Sequence, residues 1–226
     1  MTSVTVLPCG GVAAAEQIWT IVVGGGSGRR FGTPKQYELL GDGRVIDRSV
    51  EVAREVSDGV VVVVPPQDAD REGAVPGGAS RSESVRAGLA MVPPEATVVC
   101  VHDAARPLAT VELYRRAIAA VLAGADAAIP GIAVADTIKV VADGVVQSTP
   151  DRASLVAVQT PQAFRASSLR AAHERGGDAT DDAALVEAGG GLVVVVDGES
   201  TNRKITVPDD LDWARRQLVV ERRGQP

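Results

Sequence analysis

The sequence predicts an α/β fold, a three-layer sandwich with a mainly parallel sheet between helices, plus a projecting β-hairpin arm. Three observations lead there. Short β-branched runs recur along the 226 residues, several without polar alternation, as strands buried on both faces require. Segments with helical spacing of apolar residues lie between them, and such alternation favours parallel strands joined by right-handed crossovers. Finally, Asp143-Gly144 separates two short apolar runs, and this dipeptide suits the positive backbone angles of a tight hairpin turn.

Taken in order, residues 1–18, with Pro8, Gly10 and Gly11, read as a poorly ordered N-terminal extension or, equally, as a mis-called start. Residues 21–23 open the sheet, and 60–64, 97–101, 127–130 and 192–196 continue it. Helices are expected over 45–56, 82–91, 111–122 and 181–188 and, after Pro208, over 209–220. The segments 138–141 and 145–147 flank the turn and make an arm at about 136–150. No repeat of 20 to 50 residues and no low-complexity linker occurs, so residues 19–220 read as one domain, followed by a tail over 221–226. In such a sheet, ligands bind at the carboxyl ends of the strands.

Composition excludes several classes of function. With 29 acidic against 23 basic residues the net charge is −6, which offers no general attraction to nucleic acid. Six aromatic residues, widely scattered, make no platform for stacked bases. Cys9, Cys100, His102 and His173 lack the spacing of a zinc site, and Cys100 falls in an apolar run as a small core residue. No apolar segment reaches the roughly 20 residues that span a bilayer, and no basic start with an apolar stretch opens the chain, so a cytoplasmic protein without membrane contact is expected.

The chemistry concentrates after the first strand, in Gly24-Gly25-Gly26-Ser27-Gly28-Arg29-Arg30-Phe31-Gly32-Thr33-Pro34-Lys35-Gln36-Tyr37. Glycines let the backbone approach a ligand and turn N–H groups toward anionic oxygens. The spacing fits neither the dinucleotide fingerprint nor a P-loop. Two arginines and a lysine beside a strand end point to a polyphosphate guest.

This loop resembles the signature of the sugar-nucleotidyltransferases, and specifically of the 2-C-methyl-D-erythritol 4-phosphate cytidylyltransferase family. Further motifs follow in that family's order: residues 77–85 (GGASRSESV), 102–107 (HDAARP), 136–139 (DTIK), 159–162 (QTPQ), 180–182 (TDD) and 202–206 (NRKIT). The resemblance implies a Rossmann-like sandwich and a reaction in which a phosphomonoester oxygen of methylerythritol phosphate attacks the α-phosphorus of CTP and expels pyrophosphate, within non-mevalonate isoprenoid precursor biosynthesis. It departs at Gly24 and Gly25, where alanines are common, and at Arg203, which leaves open which cation faces the site.

Carried over position by position, the resemblance makes Arg30 and Lys35 the stabilisers of charge on the transferred phosphate, with Arg29 as a substitute for Arg30. It makes Arg152 and Lys204 the clamp on the acceptor phosphate, with Arg106 and Thr137 beside them. Gly24, Gly25, Gly26, Ser27, Gly28, Gly78 and Ser84 are implied to hold the nucleotide; the bland alternative for Ser84 is an ordinary polar residue at a helix start. A divalent cation, Mg²⁺, is expected on the triphosphate. Asp103 is then its protein ligand, a contact to sugar hydroxyls, or merely a turn cap. In the resembling dimers the arginine that follows the arm, here Arg152, reaches the partner's site, so the resemblance implies a homodimer. His102 and His173 are expected to be structural, since transfer from an ionised phosphate needs no general base. Competing readings are a ribitol 5-phosphate cytidylyltransferase and a noncatalytic nucleotide-binding protein of the same fold.

Overall fold

The computed structural model describes residues 16–25 and 31–224. Its strands are β1 (Ile18–Val23), β2 (Leu39–Leu40), β3 (Gly43–Arg44), β4 (Gly59–Val64), β5 (Val75–Pro76), β6 (Val98–Asp103), β7 (Ala127–Ala133), β8 (Val140–Ala142), β9 (Val145–Ser148), β10 (Val156–Val158), β11 (Gln162–Arg165) and β12 (Val193–Asp197). The helices are α1 (Val45–Val56), α2 (Ala69–Glu72), α3 (Arg81–Leu89), α4 (Val111–Leu122), α5 (Ala166–Glu174), α6 (Asp182–Ala188) and α7 (Pro208–Gly224). Single elements shift by a few residues, and both ends of the domain differ from the sequence reading. Ile18, assigned there to the extension, opens β1 against Val98, and α7 runs on into the segment read as a tail.

The main sheet has the order β10-β7-β11-β6-β1-β4-β5, with β12 added along β7. Strands β1, β4, β5 and β6 run parallel, as do β7 and β12, whereas β11 runs antiparallel to both β6 and β7. β1 and β6 are apolar runs because both faces are covered: Ile21 and Val99 pack to one side, Val22 and Cys100 to the other. On the first side lie Val85 and Leu89 of α3, Leu169 of α5 and Val186 of α6; on the second, Ile46 and Val50 of α1 with Leu113 and Tyr114 of α4. Cys100 is fully buried, which pushes its thiol up to about 12, so it serves as core and not as a nucleophile. α7 closes a smaller cluster of Leu211, Ala214 and Leu218 over Leu40, Val45 and Ile205.

The arm forms as the turn chemistry requires. β8 and β9 pair antiparallel, Ala142 opposite Val145, with Asp143 at φ 50° and Gly144 at φ 78° between them. Among the described residues nothing covers it: Val140, Val141, Val145 and Val146 are all exposed.

Candidate active site

A cavity of about 610 Å³ opens at the carboxyl ends of β1 and β6, a size suited to a small molecule. Gly24 and Gly25, leaving β1, form one wall. The N–H of Gly24 is not offered to a ligand, because it donates to the Val63 carbonyl at 2.7 Å and extends the sheet. A Cβ there would stand 3.0 Å from Ile46 Cδ1, so the glycine lets α1 approach the strand end closely.

The stretch from Gly77 to Ser84 supplies a second wall and is held by its own side chains. Gly77 donates to the Val64 carbonyl at 2.8 Å, prolonging the pairing of β5 with β4. Ser80 and Glu83 form a capping box on α3: Ser80 Oγ accepts the Glu83 N–H at 3.2 Å, and Glu83 Oε2 accepts the N–H groups of Ala79 and Ser80 at 2.6 and 3.3 Å. Ser84 Oγ accepts the Gly78 N–H at 3.2 Å and donates to the Ser80 carbonyl at 2.9 Å. Ser84 therefore secures the loop while lining the cavity.

Asp103 ends β6 and meets a cation on each oxygen: Lys204 Nζ lies 2.6 Å from Oδ2 and Arg81 Nε 3.4 Å from Oδ1. Burial alone would raise its pKa, but the charges of Lys204, Arg81 and Arg106 prevail and hold the carboxyl well below the usual carboxylate range. Arg81 is partly buried, yet Asp182 and Asp103 keep its guanidinium firmly charged. The described lining of the cavity thus carries Lys35, Arg81 and Lys204 against one carboxylate, in a chain whose overall charge is negative.

A second cavity of about 250 Å³ adjoins the first and shares Arg81, Asp103 and Lys204 with it. Its walls come from the segment entering β11 and from the one before α6, including Thr160, Gln162 and Thr180. A relay fixes this corner. The Asp103 N–H donates to Thr160 Oγ at 3.0 Å, and Thr160 in turn lies 3.1 Å from His102 Nδ1. His102 Nε2 sits 3.2 Å from the Arg106 carbonyl, an arrangement that suits a neutral imidazole with its proton on Nε2. Burial pushes the His102 imidazole down to about 4, in keeping with that form. Arg106 donates to the carbonyls of Asn202 at 2.8 Å and Val158 at 3.3 Å, tying the loop before β11 to the loop before α7.

The structure therefore brings together Lys35, Gly24, Gly25, Gly78, Ser84, Asp103 and Lys204 around the larger cavity, and Arg106, Asp103 and Lys204 around the smaller. Arg152 and Thr137 lie outside both: each is exposed near the arm, and Arg152 donates to the Ala135 carbonyl at 2.8 Å. Gly26, Ser27, Gly28, Arg29 and Arg30 fall outside the described residues. The choice between Arg203 and Lys204 resolves in favour of the lysine, because Arg203 stacks on Trp213 of α7 and pairs with Asp210. Sequence reasoning gave no role to Arg81, whose motif it recognised, nor to Asp182, its partner 101 positions away.

The donor set limits how a metal ion could be held. Among the described residues no three His, Cys, Asp or Glu side chains cluster to cage an ion, and Asp103 is the one carboxylate in the described lining of the larger cavity. That set fits Mg²⁺ carried largely by substrate phosphates and water, the usual mode for this ion. No described helix is long and apolar enough to cross a membrane.

Comparison with known proteins agrees with this geometry. Residues 18–221 match the family model described as IspD, 2-C-methyl-D-erythritol 4-phosphate cytidylyltransferase. The chain is 44% identical over 224 residues to the enzyme of that name from Rubrobacter xylanophilus, covering 90% of this chain and 96% of the relative. It is 40% identical over 221 residues to the bifunctional enzyme IspD/IspF of Nitratidesulfovibrio vulgaris, covering 85% of this chain but 56% of the relative, so it spans little more than half of that longer protein. Among solved structures, the 4-diphosphocytidyl-2C-methyl-D-erythritol synthase of Anaerococcus prevotii superposes with a TM-score of 0.79 at 29% identity, over 90% of this chain and 99% of the other. The 2-C-methyl-D-erythritol 4-phosphate cytidylyltransferase of Thermus thermophilus gives 0.75 at 31%, over 88% and 98%. With two adjoining cavities around shared cations and a family match that spans the sheet from β1 into α7, this chain belongs to the 2-C-methyl-D-erythritol 4-phosphate cytidylyltransferase family.

Proposed function

We propose that this protein joins CTP to 2-C-methyl-D-erythritol 4-phosphate, giving 4-diphosphocytidyl-2-C-methyl-D-erythritol and pyrophosphate in isoprenoid precursor biosynthesis. The observation that carries the reading is the shared boundary: Arg81, Asp103 and Lys204 line both cavities, so ligands in the two meet over the same charges. The larger cavity takes the nucleotide and the smaller the acceptor.

An oxygen of the acceptor phosphate attacks the α-phosphorus; the bond to the β-phosphate bridging oxygen breaks, and its electron pair leaves with pyrophosphate. Both reactants are anions, and two unit charges at about 4 Å repel by about 4 kcal/mol at an effective dielectric near 20. Lys35 offsets charge on the nucleotide, together with Arg30 from the signature loop, and Lys204 orients the acceptor phosphate. For that, Lys204 shares its ammonium between Asp103 and the incoming phosphate, which its three donors allow. Mg²⁺ held mainly by the triphosphate, with Asp103 as the protein carboxylate at hand, would neutralise phosphate oxygens further.

The active form is a homodimer built through the arm. Two facts support it: a two-stranded ribbon is marginal alone in water, and this one exposes Val140, Val141, Val145 and Val146. Arg152 and Thr137, which line neither of their own chain's two cavities, then serve the partner's acceptor site. Both substrates are multiply charged phosphate esters that do not cross a bilayer unaided, which supports an enzyme working in the cytoplasm, where they are made.

The test is pyrophosphate release by purified protein given CTP, Mg²⁺ and either methylerythritol phosphate or ribitol 5-phosphate. Turnover with the first is expected; turnover confined to ribitol phosphate, or none with either, overturns the reading.

A further inference from the structure

Arg81 stands in the wall between the two cavities and is gripped from behind. Its Nη1 lies 2.6 Å from Asp182 Oδ2, and the other oxygen of Asp182 lies 3.0 Å from His173 Nε2. Asp182 is fully buried and His173 nearly so, each on a different helix. On the opposite side Arg81 Nε reaches Asp103 at 3.4 Å, while Nη2 makes no hydrogen bond to a described residue. A buried carboxylate needs a compensating partner to be tolerated, and replacing such a pair with apolar groups is often neutral or better for stability. Folding alone therefore gives little reason for this arrangement. Nor does α6 depend on Asp182 for its start: Asp181 caps it, accepting the Ala184 N–H at 3.0 Å and the Gln162 amide at 2.8 Å.

We propose that Asp182 is a positioning residue for the transfer: backed by His173, it holds the Arg81 guanidinium in the wall between the cavities, where the attacking phosphate meets the α-phosphate. With Nε and Nη1 engaged by carboxylates, the fork presents its remaining donors toward the oxygens whose charge grows as the reactants close. A lysine could not do this, since one ammonium on a flexible stem does not span two carboxylates and still offer a planar edge. The inference rests on reading the cavities as nucleotide and acceptor sites.

Chemical rescue tests it. Arg81→Ala is expected to lower kcat on the order of 100-fold, as loss of one donor to a developing charge does. Millimolar guanidinium chloride should restore it at least about tenfold, the added cation settling between Asp103 and Asp182. In the double variant Arg81→Ala, Asp182→Asn the rescue should vanish. Asp182→Asn alone keeps a polar amide in place and should fold, with kcat reduced about tenfold or more and the KM for CTP changed less than about threefold. Undiminished kcat in Arg81→Ala, absence of rescue, or equal rescue in the double variant overturns the assignment. A wild-type protein that releases no pyrophosphate would instead overturn the proposed function, so the two failures are distinct.

Discussion

The guanidinium of Arg203 lies 4.6 Å from the centre of the Trp213 ring, and this contact decides how the adjacent Lys204 is used. With Arg203 committed to α7 through Trp213 and Asp210, Lys204 turns inward to Asp103.

Two alanine variants should therefore part company. Arg203→Ala should cost about 0.5 to 1 kcal/mol of stability, the worth of an exposed cation–π contact, and leave turnover within about twofold. Lys204→Ala should depress turnover on the order of 100-fold and raise the KM for the polyol phosphate. Steady-state kinetics with urea denaturation checks both; a larger loss of activity in Arg203→Ala would reverse the assignment.

Lys35→Ala and Arg30→Ala should slow the chemical step by about 100- to 1000-fold, equivalent to roughly 2.7 to 4 kcal/mol, while CTP affinity falls far less. Single-turnover rates with a binding titration separate the two quantities. Unchanged turnover in both variants would remove these cations from the mechanism.

Gly78→Ala should damage nucleotide binding through the loop. An added Cβ would run into the Glu83 side chain, whose carboxylate completes the capping box at Ser80. Displacing it should cost about 1 kcal/mol of stability and raise the KM for CTP. A variant with wild-type melting temperature and KM would show that the loop accommodates the methyl group.

Acid stability offers a further check. In the unfolded chain His102 takes a proton near its ordinary pKa of about 6.5, whereas burial holds the native imidazole neutral down to about 4. Between these values the unfolded state binds more protons, so stability falls as pH drops from 6.5 toward 4 and levels off below, a contribution on the order of 3 kcal/mol. The urea midpoint should decline less steeply over that range in His102→Asn than in the wild type. An NMR titration showing His102 charging near pH 6.5 in the native protein would contradict the neutral relay.

If the arm builds composite sites, two inactive variants should repair each other. Arg152→Ala and Lys204→Ala homodimers are each expected to be nearly inactive. After subunit exchange, half of the sites in a mixed dimer carry both intact residues, which gives about a quarter of wild-type activity at equal mixing. No recovery after proven exchange, or an active monomer on sedimentation, would confine each site to one chain.

Much of this architecture could be read from sequence because its signals are local. α1 and α4 occupy the stretches that helical spacing indicates, and the buried strands follow their β-branched runs. β11 and α5 escaped notice. Gln162–Arg165 is four residues long with polar ends, and its place between β6 and β7 is set by tertiary pairing; α5 is short and rich in alanine and serine, with Leu169 as its one large aliphatic side chain. The same holds within the site. Lys35, Gly78, Asp103 and Lys204 fall in recognisable motifs, whereas the pairing of Arg81 with Asp182 joins residues 101 positions apart and appears only on folding.

The reversed direction of β11 has an evolutionary corollary. In a sheet of parallel strands every functional loop departs from a strand, but here the backward strand delivers its approach segment to the same rim, bringing Thr160 beside Asp103. Beyond the shared Arg81, Asp103 and Lys204, the acceptor cavity is thus lined by stretches of chain that the nucleotide cavity does not use. Selection can redraw those stretches, altering which polyol is accepted, without disturbing the turns that grasp the nucleotide.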